Sequence, residues 1–155
     1  TMSNTTNTTT VAIGGGGSSS SLPLGLRNNN PLNIRVSSNN WLGKVASDNG
    51  FEKFESLELG IRAGVKNLIT YYNSYGLKTI SKIIYRWAPP SENHNETYIK
   101  YVSVRMDLDA NAIIVFSKQN FAALVSAMSE VELGKSYGIS KDKVLSVINQ
   151  YKLIQ

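Results

Sequence analysis

The chain has 155 residues, of which 41% are hydrophobic and 17% are charged, and its formal net charge is +5 at pH 7. This length fits one domain, and the hydrophobic content is sufficient for a folded core. Cysteine is absent, which excludes disulfides, thiolate metal sites and cysteine nucleophiles. The single histidine, His94, lies in a polar stretch without a surrounding ligand set, which argues against zinc and against a histidine-based triad. We therefore expect an enzyme of this sequence to use carboxylate chemistry without a cofactor.

The basic charge predicts an affinity for anionic polymers, such as nucleic acid or the carboxylates of cell-wall peptides. Lysine and arginine are scattered and no nucleic-acid-binding motif is present, so we expect no nucleic-acid partner. The longest apolar run, residues 112–116, is far shorter than the roughly 18 residues of a membrane span. The N-terminus lacks the features of a signal peptide, which predicts a location in a virion or in the host cytoplasm before release.

Residues 1–24 consist mainly of Thr, Asn, Gly and Ser, which is typical of a flexible linker. Such a linker is suited to tether the remaining domain, residues 25–155, to other virion proteins or to an upstream segment. Residues 26–48 are rich in Asn, Ser and Gly, and we expect them to be irregular. A short extended pair is predicted there, at 32–35 and 41–45.

The rest of the chain shows helical spacing of its apolar residues, with Ser at the predicted N-caps and glycine or proline at several ends. The pattern predicts a single domain that is all-α or α-dominated α+β, with at most a short β-hairpin. Five helices are predicted, at about 56–75, 79–87, 95–106, 117–134 and 140–151.

The fourth predicted helix ends with two glutamates in different settings. Glu132 lies four residues after Met128 and continues the apolar stripe, whereas Glu130 falls on the outer side. Burial and the negative end of the helix dipole both disfavour a charged carboxylate, so we expect a raised pKa for Glu132. A general acid for glycosidic bonds needs this property. The alternative is a structural ion pair with Lys135.

Several sequence blocks occur in the same order as in a family of phage proteins. The blocks are RNNNPLNIR at 27–35, GIRA at 60–63, RWAPPSEN at 86–93, TYI at 97–99 and the segment 127–137. Together they resemble the phage lysozyme-like peptidoglycan hydrolases, and in particular the virion lysins of cystoviruses, which are enveloped double-stranded RNA phages. The resemblance implies a lysozyme-like or lytic-transglycosylase-like fold and bacterial peptidoglycan as the partner.

The last block of the resemblance places Glu132 at the glutamate of that family. Glu92, in the RWAPPSEN block, is the candidate for a second carboxylate, with a solvated loop acid as the alternative. Two positions depart from the usual pattern: Leu32 stands where the family has glycine, and Leu133 where it has asparagine. We expect Leu32 to alter the approach of the backbone to the substrate, and Leu133 to remove a polar contact.

The resemblance also implies a glycan cleft lined by Asn30, Asn33 and Tyr98. Amide groups match the acetamido and hydroxyl groups of the sugars, and aromatic rings stack on sugar faces. Trp41 could stack in the same way, although a tryptophan packed into the core is equally compatible with the sequence.

The expected activity is cleavage of the bond between N-acetylmuramic acid and N-acetylglucosamine, with Glu132 protonating the leaving oxygen. Since no second carboxylate is securely placed, lytic transglycosylation is favoured over a muramidase reaction. A different enzymatic function is that of an endopeptidase that cuts the stem-peptide crosslink, an activity ascribed to cystoviral lysins. Two functions without catalysis are also compatible with the sequence: an inactive virion structural protein with the same fold and, more distantly, a nucleic-acid-binding module.

Overall fold

The computed structural model describes residues 21–88 and 95–155. Residues 1–20 of the predicted linker, 1–24, lie outside these described residues. The predictions for Glu92 and His94 also lie outside them. The described residues form mainly helices, which confirms the α-dominated fold class. The elements are α1 (Leu24–Arg27), β1 (Lys44–Asp48), β2 (Phe51–Phe54), α2 (Leu57–Ser74), α3 (Ile80–Trp87), α4 (Asn95–Met106), α5 (Lys118–Leu133), a 3-10 turn (Lys135–Tyr137) and α6 (Lys141–Gln150).

Three predicted N-caps are confirmed, and a threonine that was not predicted as a cap begins a fourth helix in the same way. In each case the side-chain hydroxyl accepts a hydrogen bond from the backbone N–H three residues further on, which satisfies one of the free donors at the helix start. The four caps are Ser56, Thr79, Ser117 and Ser140. Gly134 ends α5 as predicted, with φ at 97°. All five long helices therefore begin and end within a residue or two of their predicted bounds.

The predicted extended pair at 32–35 and 41–45 is wrong in position. The hairpin instead pairs β1 with β2, in antiparallel register. Its two-residue turn is Asn49-Gly50, both at positive φ, which is the conformation that type I′ turns require. An Asn-Gly dipeptide is a strong hairpin signal. Here it follows both of the predicted strands in the chain and joins β1 to β2.

The folded domain begins earlier than predicted, because residues up to Leu24 were assigned to the linker. Helix α1 includes Leu24 and packs on the end of α5. A Cβ atom placed on Gly25 would lie 2.6 Å from Cδ2 of Leu133, so the two helices meet closely at this glycine. Leu133 is fully buried there and supplies an apolar contact to α1.

Helix α5 occupies the centre of the core and packs between α4 and α6. Its buried stripe includes Phe121, Leu124, Val125 and Met128. Glu132 continues this stripe and is buried with it. The carboxylate is therefore carried into the interior by the same helical face that forms the core.

Small residues on α2 allow the Asn-rich segment to approach this helix closely. A Cβ atom on Gly60 would overlap the carbonyl oxygen of Asn29, and one on Gly64 would lie 2.9 Å from Leu32. Leu32 is fully buried in that space. The expectation that Leu32 alters the backbone approach to a substrate is wrong, because its side chain fills the core beside Gly64. Gly60 of the GIRA block is thus explained by packing.

Candidate active site

Glu132 lies in the last turn of α5, and its side chain is 0% exposed. Its Oε1 accepts a hydrogen bond from Nδ2 of Asn33, at 3.0 Å. Its Oε2 accepts one from the hydroxyl of Tyr98, also at 3.0 Å. The structure thus brings together three of the predicted site residues, from the Asn-rich segment, α4 and α5.

Tyr98 is a neutral donor to this carboxylate. Its ring is fully buried in α4. Burial raises the pKa of Tyr98 well above its ordinary value, and the charge of Glu132 and the hydrogen bond to it act in the same direction. The phenol therefore keeps its proton to a higher pH than an exposed tyrosine does, and it holds one carboxylate oxygen in place.

Asn33 supplies the second donor from a left-handed backbone conformation, with φ at 53°. Asparagine tolerates this conformation better than most residues. Its Nδ2 also lies 3.3 Å from the backbone oxygen of Glu132. Its Oδ1 is buried and finds no hydrogen-bond partner among the described residues. An unpaired buried acceptor costs on the order of 1–3 kcal/mol, a cost that needs an explanation in a native structure and is accepted at functional sites.

Asn30 does not line a cleft, so its predicted role in substrate binding is corrected. The side chain is fully buried. Its Nδ2 donates to the carbonyl oxygens of Ile34 and Glu52, at 3.0 and 2.9 Å, and its Oδ1 accepts from the backbone N–H of Ile34. One amide hydrogen joins the Asn-rich segment to β2 through Glu52, and the other binds Ile34 within that segment. Asn30 therefore belongs to the scaffold that holds Asn33.

A continuous groove begins at Asn33 and extends to Trp41. It consists of two adjoining clefts, of about 360 and 660 Å³. Four residues line both clefts: Asn39, Asn67, Tyr71 and Arg86. Among the described residues, the charged side chains in its lining are all basic, namely Arg35, Arg62, Lys66 and Arg86. We call this feature the basic groove.

Trp41 lies between the core and the groove. Its ring packs against the small core cluster of Ile34, Phe54 and Ala63. Trp41 also lines the larger cleft of the basic groove. Its Nε1 atom is buried without a partner among the described residues. The structure thus places Trp41 at the groove, at the end remote from Asn33.

A smaller pocket lies on the other side of the carboxylate. It has a volume of about 220 Å³, and its lining includes Tyr98, Tyr101 and Val131. Asn33 lines the basic groove and Tyr98 lines this pocket, and both bind Glu132. The carboxylate therefore lies between the basic groove and the smaller pocket. Asn33 separates it from the groove, and Tyr98 separates it from the pocket.

Glu130 has the structural setting that the sequence predicts for it. Both of its oxygens accept hydrogen bonds from the guanidinium of Arg105, at 2.8 and 3.0 Å, and the Tyr101 hydroxyl donates to Oε1 at 2.8 Å. The hydrogen bond from Arg105 is the main cause that lowers the pKa of Glu130, and the charge of Lys135 contributes in the same direction. Lys135, the ion-pair partner considered for Glu132, thus acts on Glu130.

Glu52 is a buried carboxylate that the sequence analysis did not select. It lies on β2 and is fully buried. Its Oε2 accepts from Nζ of Lys44 at 3.1 Å and from the backbone N–H of Ser37 at 3.3 Å. Ser37 lines the basic groove, so Glu52 holds part of its wall. The signal for its burial was the period-two alternation with Phe54, which places both side chains on one face.

Within residues 21–88 and 95–155, no group of three or more histidine and acidic side chains is placed to hold a metal ion. In the same ranges, none of the helices combines the length and the apolar character needed to cross a membrane.

Comparison with known proteins places the chain among phage proteins. No model of a known protein family matches the sequence. The chain is similar to Protein P5 of Pseudoalteromonas phage PM2, with 41% identity over 117 residues, which cover 72% of this chain and 72% of that protein.

Proposed function

We propose that this chain, which belongs to the family of Protein P5 of Pseudoalteromonas phage PM2, cleaves the glycan strands of bacterial peptidoglycan with Glu132 as the acid–base group. One observation carries the proposal. A fully buried glutamate at the end of a helix is held by Asn33, and Asn33 lines a long groove. The resemblance to phage lysozyme-like hydrolases supports the same assignment independently of the geometry.

The chemistry of the site suits proton transfer to a glycosidic oxygen. Cleavage of this bond requires an acid that protonates the leaving group. A carboxylic acid among apolar neighbours performs this role in lysozyme-type enzymes, and Glu132 continues the buried stripe of α5 one turn after Met128. Asn33 and Tyr98 hold one carboxylate oxygen each, which fixes its orientation. Pre-orientation of this kind lowers the barrier to reaction.

Access to Glu132 requires a local movement, because the carboxylate is fully buried in this structure. Asn33 contacts both the carboxylate and the basic groove. A small shift of Asn33 that keeps its Nδ2 hydrogen-bonded to Oε1 would open the second acceptor position of this oxygen to a substrate in the groove. We therefore assign Asn33 a positioning role, and we expect the scissile bond to bind at its end of the groove.

Lytic transglycosylation is the reaction that fits one carboxylate. Glu132 donates its proton to the O4 atom of N-acetylglucosamine as the bond from C1 of N-acetylmuramic acid breaks. The 6-hydroxyl of the same muramic acid then attacks C1 and returns a proton to Glu132, which gives a 1,6-anhydro product. Glu52, the other buried carboxylate in the described residues, is bound to Lys44 and Ser37. A second carboxylate at the groove, for which Glu92 is the candidate, would favour hydrolysis instead.

Digestion of purified sacculi, followed by mass spectrometry of the soluble products, tests this function. We expect anhydromuropeptides from the natural protein and none from Glu132→Gln. The matched control is Glu130→Gln, which removes a carboxylate two residues away and should retain the activity. New free amines would identify an endopeptidase, and new reducing ends a hydrolase. No product from a folded protein would indicate a structural role in the virion.

A further inference from the structure

We propose that the basic groove binds the carboxylates of the stem peptides, so that the substrate is a peptide-bearing glycan strand and not a bare one. This inference rests on the proposed function and specifies its substrate class. A strand without peptides carries one lactyl carboxylate on each muramic acid, whereas each stem peptide carries several. The groove therefore distinguishes the two through charge.

Three cations face the groove from two helices. Arg62 and Lys66 lie four residues apart on α2, which places them on one face of that helix, and Arg86 lies on α3. In the part of the chain that the structure describes, these three side chains form no ion pair, in contrast to Lys44 and Arg105. These three charges are thus available to an anionic ligand.

Aromatic rings hold the two guanidinium groups in place without neutralising them. Arg86 lies over the ring of Tyr75, at 4.7 Å from its centroid, and at 5.7 Å from that of Tyr71. Arg62 lies over Tyr151 at 5.7 Å. Cation–π contacts leave the hydrogen-bond donors of arginine free. Arg86 also forms a side-chain hydrogen bond with Tyr71, and each guanidinium keeps further donors with which to bind a carboxylate.

The arrangement along the groove matches the layout of a glycopeptide. The end at Asn33 adjoins Glu132, where the glycan would be cut. Arg62 and Lys66 line the other cleft, away from this end. Between them lie amide and aromatic side chains that suit acetamido groups, peptide bonds and sugar faces. A strand that places its glycan at Asn33 can therefore direct its peptide toward the cations.

Nucleic acid is the less suitable occupant. Proteins that bind duplex DNA through its backbone commonly contact roughly 6–10 phosphates. The basic groove offers Arg62, Lys66 and Arg86 inside a concave surface, together with uncharged amides and rings. This number of charges fits the few carboxylates of a stem peptide better than a phosphate backbone.

Co-sedimentation with purified sacculi tests the proposal, with Glu132→Gln as the background so that the ligand stays intact. The same sacculi, stripped of their peptides by an amidase, serve as the second ligand. Both ligands are coupled to beads through their sugars beforehand, because removal of the peptides breaks the crosslinks and would otherwise dissolve the strands. We expect binding to the intact sacculi to be at least about tenfold tighter. The double substitution of Arg62→Gln and Lys66→Gln should remove most of this preference, since each exposed charge contact contributes roughly a two- to fivefold effect.

A charge-matched control separates the groove from the overall charge of the protein. Lys100→Gln with Lys141→Gln removes two exposed cations that do not line the groove, and it should leave the preference unchanged. Equal binding to intact and stripped sacculi, an equal loss in the control, or displacement by duplex DNA at equal charge concentration would each overturn the inference. None of these outcomes affects the separate test of Glu132 by product analysis.

Discussion

The Nδ2 atom of Asn33 lies 3.0 Å from Oε1 of Glu132, although 99 positions separate the two residues. The contact joins an irregular segment near the start of the domain to the end of its central helix. It also links the buried carboxylate to the basic groove, because Asn33 lines that groove. The proposed chemistry depends on this one hydrogen bond more than on any other contact of the site.

Replacement of Asn33 by glycine should lower the turnover of peptidoglycan by about 10- to 100-fold, because the carboxylate loses the donor that orients it. Glycine is chosen since it adopts the positive φ of this position without strain. The measurement is the initial rate of release of soluble muropeptides, with circular dichroism to verify folding. Asn30→Gly, which removes a scaffold amide, should instead reduce the melting temperature. An unchanged rate in folded Asn33→Gly would contradict the positioning role.

Replacement of Tyr98 by phenylalanine should destabilise the protein by about 1.5–3 kcal/mol, because a buried carboxylate loses one of its donors. The free energy of unfolding from urea titrations at pH 7 measures this effect. Tyr85→Phe is the control, since that hydroxyl binds Glu96 at the surface and its loss should change little.

The same tyrosine predicts a dependence of stability on alkaline pH. The pKa of Tyr98 is raised in the folded protein, so above about pH 10 the unfolded chain releases a proton that the folded chain retains. The contribution of Tyr98 is therefore fully present below about pH 10 and is lost as the pH rises further. The free energy of unfolding should fall more steeply between about pH 9 and 11 for the natural protein than for Tyr98→Phe. Parallel curves would contradict the raised pKa of this buried phenol.

Gly60→Ala should destabilise the domain by about 3 kcal/mol or more, because its Cβ atom would overlap the carbonyl oxygen of Asn29 and the backbone would have to move. Gly50→Ala is the comparison. Gly50 has open space around it but a positive φ, so only backbone strain of roughly 1–2 kcal/mol applies. Thermal unfolding of both variants measures the difference, and a Gly60→Ala protein as stable as Gly50→Ala would refute the close approach.

The Arg105–Glu130 pair should stabilise the fold by up to about 1 kcal/mol at neutral pH, since Arg105 is half-exposed. The pKa of Glu130 is lowered in the folded state, so this contribution is present above the ordinary carboxyl pKa and is lost as the pH falls through the folded value. Arg105→Gln should thus be less stable than the natural protein at pH 7 and nearly equal to it at about pH 3. Urea titrations at the two pH values provide the measurement.

Much of the helical architecture could be predicted from the sequence, because its signals are local. Ser56, Thr79, Ser117 and Ser140 cap helices through bonds that span three residues, and Gly134 ends one. The predicted position of the hairpin was wrong because the strands were placed at isolated apolar residues and the Asn-Gly turn was not used. Helix α1, with four residues, is too short to show a helical period.

Part of the site could be predicted from the sequence. Features that depend on residues nearby in the chain were predictable, and features that depend on contacts between distant segments were not. The apolar stripe of α5 indicated that Glu132 would be buried, since burial follows the helical period. The scaffold role of Asn30 was not visible, because it depends on carbonyl groups of a distant strand. The fit of Leu32 beside Gly64 likewise depends on how two segments approach each other in space. Glu92 remains a prediction.

Product analysis with Glu132→Gln and Glu130→Gln tests the central claim most directly. Equal amounts of the folded natural protein and of each variant are incubated with purified sacculi, and the soluble products are identified by mass spectrometry. The account predicts 1,6-anhydromuropeptides from the natural protein and from Glu130→Gln, with at least about a 100-fold loss for Glu132→Gln. Release of the same products by Glu132→Gln at an undiminished rate would contradict it.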